Sequence, residues 1–245
     1  MQPILFVWRG HVVHAYPAML YCALLVSTFL TAYVAQSYGL NADKTAVATV
    51  LLVIPALPGT RLLYVAMHWD IYRNDLRRIW RRSEGGMTVY GGLIASIVFS
   101  VPLLWVLDLP FLPFWDAATI GMLCGSVIAK IGCFLQGCCA GRETHAWCGL
   151  HLPDQRGAWL RRVPIQLFEM AWAGVLVIAM LLWRIRAPFP GAIFFGGVGT
   201  YAAGRFFLQK FRDDHHGENE TGVLQSVSVI LVLLALGGGF WLWSR

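Results

Sequence analysis

The stretch AATIGMLCGSVIAKIGCFLQGCCAG, from Ala117 to Gly141, decides the fold class of this chain. Its first part, Ala117 to Gln136, is an apolar window of about 20 residues, which is the length that a helix needs to cross the hydrocarbon core of a membrane. Its last part, Gly132 to Gly141, is rich in glycine and cysteine where this helix meets a polar loop. Because a plain membrane anchor needs no such run, the stretch also marks a functional site.

The composition of the whole chain supports a membrane protein. Of its 245 residues, 58% are hydrophobic and only 13% are charged, which is far from the composition of soluble globular domains. Every backbone polar group in lipid must be paired internally, so we expect a single all-α integral membrane domain over residues 1–245. About seven transmembrane helices are predicted: Ala15–Gln36, Ala46–Leu63, Met87–Leu107, Ala117–Gln136, Pro164–Trp183, Gly191–Phe207 and Val223–Trp243.

Two irregular regions interrupt this pattern. Pro55 and Pro58 lie inside the second window, so we expect that helix to kink or to end early. The longest polar connection, Gly141 to Arg162, follows the fourth window. We expect it to fold over the site as a polar cap.

The basic residues are unevenly distributed. The net charge is +6, and most of the arginines lie in the N-terminal arm and in the connections after the second, fourth and sixth windows. The positive-inside rule would place this side in the cytoplasm. The alternative is that these cations serve a site for an anionic lipid, on whichever face the protein works.

Charged and polar residues inside the windows are the first candidates for a site, since they are costly in hydrocarbon. They are Arg61, Lys130, Gln166, Glu169 and Arg205. We expect the three cations to converge with Glu169 on one cavity, as an anion pocket with an internal counter-charge. The alternative is that each side chain extends independently to the membrane interface.

The cysteines leave several possibilities open. Cys22 and Cys124 lie inside windows and are typical of small buried apolar residues. Four others cluster in sequence with His145: Cys133, Cys138, Cys139 and Cys148. A zinc or copper site is one interpretation, although the spacing matches no standard Cys-x-x-Cys pair. A nucleophilic or redox-active Cys138–Cys139 pair is another. Plain packing is favoured, and we expect no metal and no cofactor.

Four motifs in a fixed order carry a resemblance to a known family. They are MTVYGGLIAS (87–96), KIGCFLQGCCAG (130–141), RVPIQLFE (162–169) and YAAGRFFLQKFR (201–212), with GTRLLYV (59–65) as a fifth match. In this order and spacing the chain resembles the bacterial prolipoprotein diacylglyceryl transferases, a family that also has seven spans. The resemblance covers the chain from about Tyr16 to Val229.

The resemblance implies an activity. Members of the family transfer the diacylglyceryl group of phosphatidylglycerol to the thiol of a lipoprotein-precursor cysteine and release glycerol phosphate. Fixed cations suit this reaction, because negative charge grows on the departing phosphate. Arg205 matches the essential arginine of the family and Arg61 matches its arginine after the second span, while Gln166 and Glu169 fit its PxQLxE pattern.

The chain departs from the family pattern at several site positions. Tyr90 replaces a histidine and Lys130 replaces an arginine, and a lysine lacks the planar fork of donors that arginine offers. Cys133, Gln136 and Cys138 stand where the family has Asn, Asn and Glu. The expected catalytic residues are Arg205, Lys130 and Tyr90. The expected substrate-binding residues are Arg61, Gly91, Gly92, Cys133, Gln136, Cys138, Gln166, Glu169, Tyr201 and Arg212.

The expected partners follow from the same resemblance. They are an anionic phospholipid such as phosphatidylglycerol as donor and a lipoprotein precursor as acceptor, with no nucleic acid. The expected location is the bacterial cytoplasmic (inner) membrane, which the chain crosses several times. Two alternatives remain: a thiol-redox or metal-handling membrane protein, and a non-catalytic lipid-binding relative.

Overall fold

The computed structural model describes residues 4–8, 11–73, 75–80, 88–153, 159–212 and 218–244. The described chain is mostly helical, as predicted. Its helices are α1 (Ala15–Gln36), α2 (Ala42–Leu51), α3 (Val53–Met67), α4 (Trp69–Tyr72), α5 (Val89–Val106), α6 (Phe111–Gln136), α7 (Ile165–Trp183), α8 (Ala192–Gln209) and α9 (Glu218–Trp243). Two antiparallel hairpins accompany them: β1 (Ile4–Trp8) with β2 (His11–His14), and β3 (Leu150–Pro153) with β4 (Trp159–Arg162).

Six helical segments among the described residues are long and apolar enough to cross a membrane. They are Ala15–Gln36, Ala42–Met67, Val89–Val106, Phe111–Gln136, Ile165–Arg186 and Leu224–Trp243. The remaining window, Gly191–Phe207, also forms a helix, α8, but it is not one of these six. The sequence AIFFGGVGTYAAGRFFLQ explains the difference, because its glycines, its polar residues and Arg205 lower its hydropathy. The prediction of a multi-pass helical membrane protein is confirmed, whereas the count of seven spans is not.

The second span is broken, as its prolines predict, but the break precedes both of them. Leu52 separates α2 from α3, and Pro58 lies inside α3. Pro55 has no N–H to donate to the carbonyl of Leu51, so the hydrogen-bond ladder is interrupted at this point.

Helix α6 forms the centre of the bundle. Its first half carries the largest fully buried side chains, Phe114 and Trp115, and the helix packs along α1, α7 and α8. Glycines on α6 allow a close approach to α1. A Cβ on Gly132 would lie 2.8 Å from the Cβ of Met19, and one on Gly125 would lie 3.1 Å from the Cβ of Ser27. Small residues at such contacts let membrane helices pack through their backbones.

A buried carboxylate on α6 fixes the start of α8. Asp116 is fully buried and accepts hydrogen bonds from the backbone N–H groups of Gly191 at 2.6 Å and of Phe194 at 2.8 Å. These N–H groups lack partners within the helix, and a carboxylate also complements the positive end of the helix dipole. Asp116 therefore anchors α8, the helix that carries Arg205, against α6.

The polar connection after α6 folds into the second hairpin. Within its described part, Gly141 N donates to Val163 O at 2.9 Å, and Arg142 N donates to Phe211 O at 2.9 Å. The second bond ties this connection to the chain that follows α8. In its described part, the predicted cap therefore contains the paired strands β3 and β4 and is attached to the end of the bundle where α6 and α8 finish.

Candidate active site

Three cations converge on one carboxylate at this end of the bundle. Glu169 contacts Lys130 through Oε2 and Arg205 through Oε1, and Arg212 Nη1 lies 3.2 Å from Oε1. The side chain of Glu169 is 5% exposed, and those of Lys130 and Arg205 are 15% exposed. The expected convergence of Lys130, Arg205 and Glu169 is found, with Arg212 as a further member.

The course of the helices explains why these residues meet. Lys130 lies near the end of α6 and Arg205 near the end of α8, whereas Glu169 lies in the second turn of α7. Helix α7 runs back from the end where α6 and α8 finish, so all three side chains lie at one level. Gly204 brings α8 close to α7, because a Cβ at 204 would overlap the indole nitrogen of Trp172.

The cluster carries an excess of positive charge. Lys130 and Arg205 share the single carboxylate of Glu169, and both cations are largely removed from water. A buried charge is costly unless it is paired and hydrogen-bonded. The arrangement therefore favours binding of an additional anion, such as the phosphate group of a lipid.

A tight turn at the end of α6 brings Cys138 and Cys139 back toward Cys133. Gly137 has φ of 76°, its N–H donates to Phe134 O at 3.2 Å, and the N–H of Cys138 donates to Cys133 O at 3.1 Å. This pair of bonds around a left-handed glycine is a Schellman motif, which folds the chain back over the last helical turn. The next residue, Cys139, is also left-handed, with φ of 62°.

The turn gathers three sulfur atoms. The Sγ atoms of Cys133, Cys138 and Cys139 all lie within 4.8 Å of one another. Hydrogen bonds with the thiols of Cys133 and Cys138 lower the pKa of Cys139, and the positive charges of Arg212 and Lys130 lower it further, against the effect of burial. Hydrogen bonds with Cys133 and Cys139 raise the pKa of Cys138. Of the two thiols that follow α6, Cys139 thus has the lowered pKa and Cys138 the raised one.

The two glutamines predicted for the site have different surroundings. Gln166 is fully buried and its Nε2 donates to the carbonyl of Cys138 at 2.7 Å, so it fixes the cysteine turn against α7. Its buried Oε1 has no hydrogen-bond partner among the described residues. Gln136 is the last residue of α6 and is exposed.

A mostly apolar cavity of about 460 Å³ lies between the helices. Residues of α1, α2, α3, α5, α6, α8 and α9 line it, among them Leu24, Ala56, Trp115 and Leu231. The volume falls within the range of small-molecule sites, and the lining suits hydrocarbon. The cavity is therefore a candidate site for part of a lipid chain.

Two tyrosines predicted for the site line this cavity. Tyr90 is buried, and its hydroxyl lies 2.7 Å from Oγ of Ser228 on α9. Tyr90 is also close enough to Arg205, Glu169 and Tyr201 to interact with them electrostatically. Tyr90 thus connects the apolar cavity with the charged cluster, which is the arrangement that an amphipathic lipid requires.

Arg61 has a different set of contacts. Its Nε donates to Ile79 O at 2.9 Å, and its guanidinium lies 5.6 Å from the ring centre of Tyr64 and 5.4 Å from that of Tyr72. The described contacts of Arg61 therefore hold the short 3₁₀ helix Leu76–Trp80 against α3. Its role as a phosphate ligand stays a prediction, and no described contact brings it to Glu169.

The glycine pair of α5 has a packing role. A Cβ on Gly91 would overlap the carbonyl oxygen of Gly59, and a Cβ on Gly92 would lie 2.9 Å from Cγ2 of Thr60. The backbone that these glycines approach is that of α3, whereas the sequence suggested an approaching lipid headgroup. Gly92 also lines the apolar cavity, so a contact with lipid at this position stays a prediction.

Three residues at the site were not predicted from the sequence. Ser228 is the polar partner of Tyr90, Tyr16 of α1 is close enough to the three cysteines to interact with them electrostatically, and Trp172 packs beside Gly204. Ser228 could have been found as a hydroxyl within an apolar window. Tyr16 and Trp172 could not, because an aromatic residue is common in any membrane helix.

The chain is similar throughout its length to known proteins. The family model described as "Prolipoprotein diacylglyceryl transferase" matches residues 3–242. A phosphatidylglycerol–prolipoprotein diacylglyceryl transferase of Clostridioides difficile (strain 630) is 24% identical over 238 residues, covering 97% of this chain and 93% of the relative.

Other relatives of the same name show similar sequence identity to this chain. One from Trichormus variabilis is 27% identical over 262 residues, with 99% of this chain and 88% of the relative covered. One from Listeria monocytogenes serotype 4a is 30% identical over 206 residues, with 80% of this chain and 74% of the relative covered. With a match over almost its whole length, and with the charged cluster formed by the matching motifs, this chain belongs to the prolipoprotein diacylglyceryl transferase family.

Proposed function

We propose that this protein transfers the diacylglyceryl group of phosphatidylglycerol, or of a similar anionic phospholipid, to the thiol of a lipoprotein-precursor cysteine. The proposed location is the bacterial cytoplasmic (inner) membrane. The observation that carries the proposal is the position of the Lys130–Glu169–Arg205 cluster beside an apolar cavity, linked to it by Tyr90. The names of the relatives support the same donor and acceptor.

The donor lipid fits the two parts of the site. Part of its acyl chains would occupy the apolar cavity, where burial of hydrocarbon is favourable. Its phosphodiester, with one negative charge, would bind at Arg205 and Lys130 and offset their excess charge over Glu169. Tyr90 and Tyr201 would lie at the level of the glycerol backbone, between the chains and the phosphate.

Catalysis would come from charge stabilisation during the displacement. The acceptor thiol loses its proton to water, and its sulfur forms a bond to the glyceryl carbon while the carbon–oxygen bond to the phosphate breaks. The electron pair of that bond goes to the phosphate oxygen. The second negative charge that develops on glycerol phosphate lies beside Arg205, Lys130 and Arg212. Fixed cations in a site with little water stabilise such a charge without reorganisation.

The reaction can be tested with purified components. The protein in detergent would be incubated with phosphatidylglycerol and a peptide that carries one lipobox cysteine. The proposal predicts a thioether-linked diacylglyceryl peptide and an equal amount of glycerol phosphate, both measured by mass spectrometry. Rescue of a bacterial strain depleted of its own diacylglyceryl transferase would test the acceptor in cells. Binding of phosphatidylglycerol without turnover would contradict the proposal and favour a lipid-binding relative.

A further inference from the structure

The three-sulfur cluster has the dimensions of a metal site. Zinc–sulfur bonds of about 2.3 Å place three sulfur ligands of one ion about 3.8 to 4.0 Å apart. The Sγ atoms of Cys133, Cys138 and Cys139 lie within 4.8 Å of one another, which is close to this spacing.

The backbone around the cluster is already fixed. The Schellman turn holds Cys138 over the last turn of α6, and Gln166 of α7 holds the carbonyl of Cys138. Two residues after Cys139, the backbone N–H of Gly141 donates a hydrogen bond to Val163 O at 2.9 Å. A preformed set of ligands loses little conformational entropy when it binds an ion, which favours binding.

The cluster provides three ligands rather than four. Within the part of the chain that the structure describes, no further His, Cys, Asp or Glu ligand atom belongs to this group, and neither His145 nor Cys148 is part of it. Structural zinc sites are closed by four protein ligands, whereas catalytic zinc sites have three and leave one position for a reactant.

We propose that Cys133, Cys138 and Cys139 bind one zinc ion as thiolates, and that the open fourth position binds the thiol of the acceptor cysteine. The location suits this role, because Cys139 is close enough to Lys130 and Arg212 for electrostatic interaction, which places the ion beside the charged cluster. The role of the fourth position rests on the proposed function, whereas binding of the ion does not.

The ion would supply an activated nucleophile. The acceptor thiol loses its proton to water on binding zinc, and its sulfur keeps the electron pair that forms the new carbon–sulfur bond. The carbon–oxygen bond to phosphate breaks, and its electron pair leaves with glycerol phosphate. The thioether product is neutral and a poorer ligand, so it dissociates and leaves the ion with its three protein thiolates.

The first experiment measures the metal itself. The full chain, purified without a metal-affinity step, would be analysed for zinc before and after removal of the metal with a chelator and return of Zn²⁺ alone. We expect about one zinc ion per chain, restored after chelation. The variant with Cys133→Ser, Cys138→Ser and Cys139→Ser should hold at least about tenfold less, and Cys148→Ser should keep the ion.

The second experiment examines the open position and needs no turnover. Co²⁺ would replace zinc in the wild-type chain, and the sulfur-to-cobalt absorption band would be recorded before and after addition of a peptide with one cysteine. An increase in this band on addition of the peptide, and not of its serine analogue, supports the fourth sulfur ligand. Absence of bound metal in the folded wild-type chain would overturn the proposal, as would a band that the peptide does not change.

The outcomes separate this proposal from the proposed function. Full transferase activity in the metal-free triple serine variant would reject the role of the ion in binding the acceptor thiol and leave the lipid transfer intact. Zinc binding and a cobalt band that responds to the peptide, without any product from phosphatidylglycerol, would support the metal site and reject the lipid transfer. A disulfide among the three cysteines in place of bound zinc would overturn the metal site.

Discussion

Gly204 of α8 lies directly against the indole of Trp172 of α7. The glycine immediately precedes Arg205, and the tryptophan follows Glu169 by about one helical turn. The absence of a side chain at 204 is what lets α8 approach α7 closely enough for Arg205 to reach the carboxylate. The ion pair at the centre of the site thus depends on a contact between a glycine and an aromatic ring.

Replacing this glycine is expected to disrupt the site. In Gly204→Ala the new methyl group overlaps Trp172 Nε1, so α8 must shift and the contact between Arg205 and Glu169 is weakened. We expect transferase activity to fall by at least about tenfold, because a small displacement in an active site is costly. Gly174→Ala on α7 is the matched control, since a Cβ at 174 would meet no described atom within 4 Å and activity should be unchanged. Equal activity of both variants would contradict the packing argument.

Removal of the central carboxylate is expected to destabilise the protein. Glu169→Gln leaves Lys130 and Arg205 without their shared anion, which costs about 3 to 5 kcal/mol for a buried pair. Thermal unfolding in detergent would measure the loss, and phosphatidylglycerol should stabilise this variant more than the wild type because it supplies an anion. Asp70→Asn, at an exposed carboxylate paired with the exposed Arg73, serves as control because its loss should change stability little. Equal stabilisation of both proteins by the lipid would argue against a phosphate site at these cations.

Loss of the Asp116 carboxylate is expected to destabilise the protein. Asp116→Ala removes the acceptor for the N–H groups of Gly191 and Phe194, and hydrogen bonds to a charged group contribute about 1.5 to 3 kcal/mol each. We expect a clear drop in the unfolding temperature, with a smaller drop for Asp116→Asn, which keeps one acceptor oxygen. Asp43→Ala, at an exposed position in the first turn of α2, should change stability by less than about 1 kcal/mol. A wild-type unfolding temperature for Asp116→Ala would show that α8 is anchored by other contacts.

Much of the fold could be predicted from the sequence, since hydropathy and length decide where membrane helices form. The ends of α1 at Ala15 and Gln36 agree with the prediction, and the charged residues that interrupt apolar windows led to the Glu169 cluster. The prediction depended on one physical rule, the high cost of a charge in hydrocarbon. That rule does not tell which way a charged side chain points, however. It therefore grouped Arg61 with the cluster, although its described contacts are with the 3₁₀ helix, Tyr64 and Tyr72.

The sequence did not reveal which of the clustered cysteines lie together in three dimensions. The spacing of Cys133, Cys138 and Cys139 matches no common metal motif, and packing was the favoured interpretation. The cluster forms because Gly137 adopts a left-handed conformation and reverses the chain, which brings Cys138 and Cys139 back to Cys133. A sequence pattern shows the glycine but not the turn that it makes in three dimensions.

The hydroxyl of Tyr90 is expected to have a measurable role at the junction of cavity and cluster. Tyr90→Phe keeps the ring but removes the hydrogen bond with Ser228 and a hydroxyl close to Arg205. We expect turnover to fall up to about tenfold, because one hydrogen bond contributes about 0.5 to 1.5 kcal/mol. Ser228→Ala distinguishes loss of the hydrogen bond with Ser228 from loss of the hydroxyl near Arg205, because it removes only the hydrogen-bond partner and leaves the phenol of Tyr90 in place. A larger loss in Ser228→Ala than in Tyr90→Phe would contradict a direct role of the phenol.

The central claim is that Arg205 binds the phosphate of the donor and stabilises its departure. Arg205→Lys keeps the positive charge but loses the paired donors of the guanidinium. In the assay with phosphatidylglycerol and the lipobox peptide, we predict that this variant inserts and purifies normally while its rate of product formation falls at least about 100-fold. Arg73→Lys, at an exposed arginine, should leave that rate unchanged. A wild-type rate for Arg205→Lys would contradict the account, because Arg205 would then contribute only a general positive field.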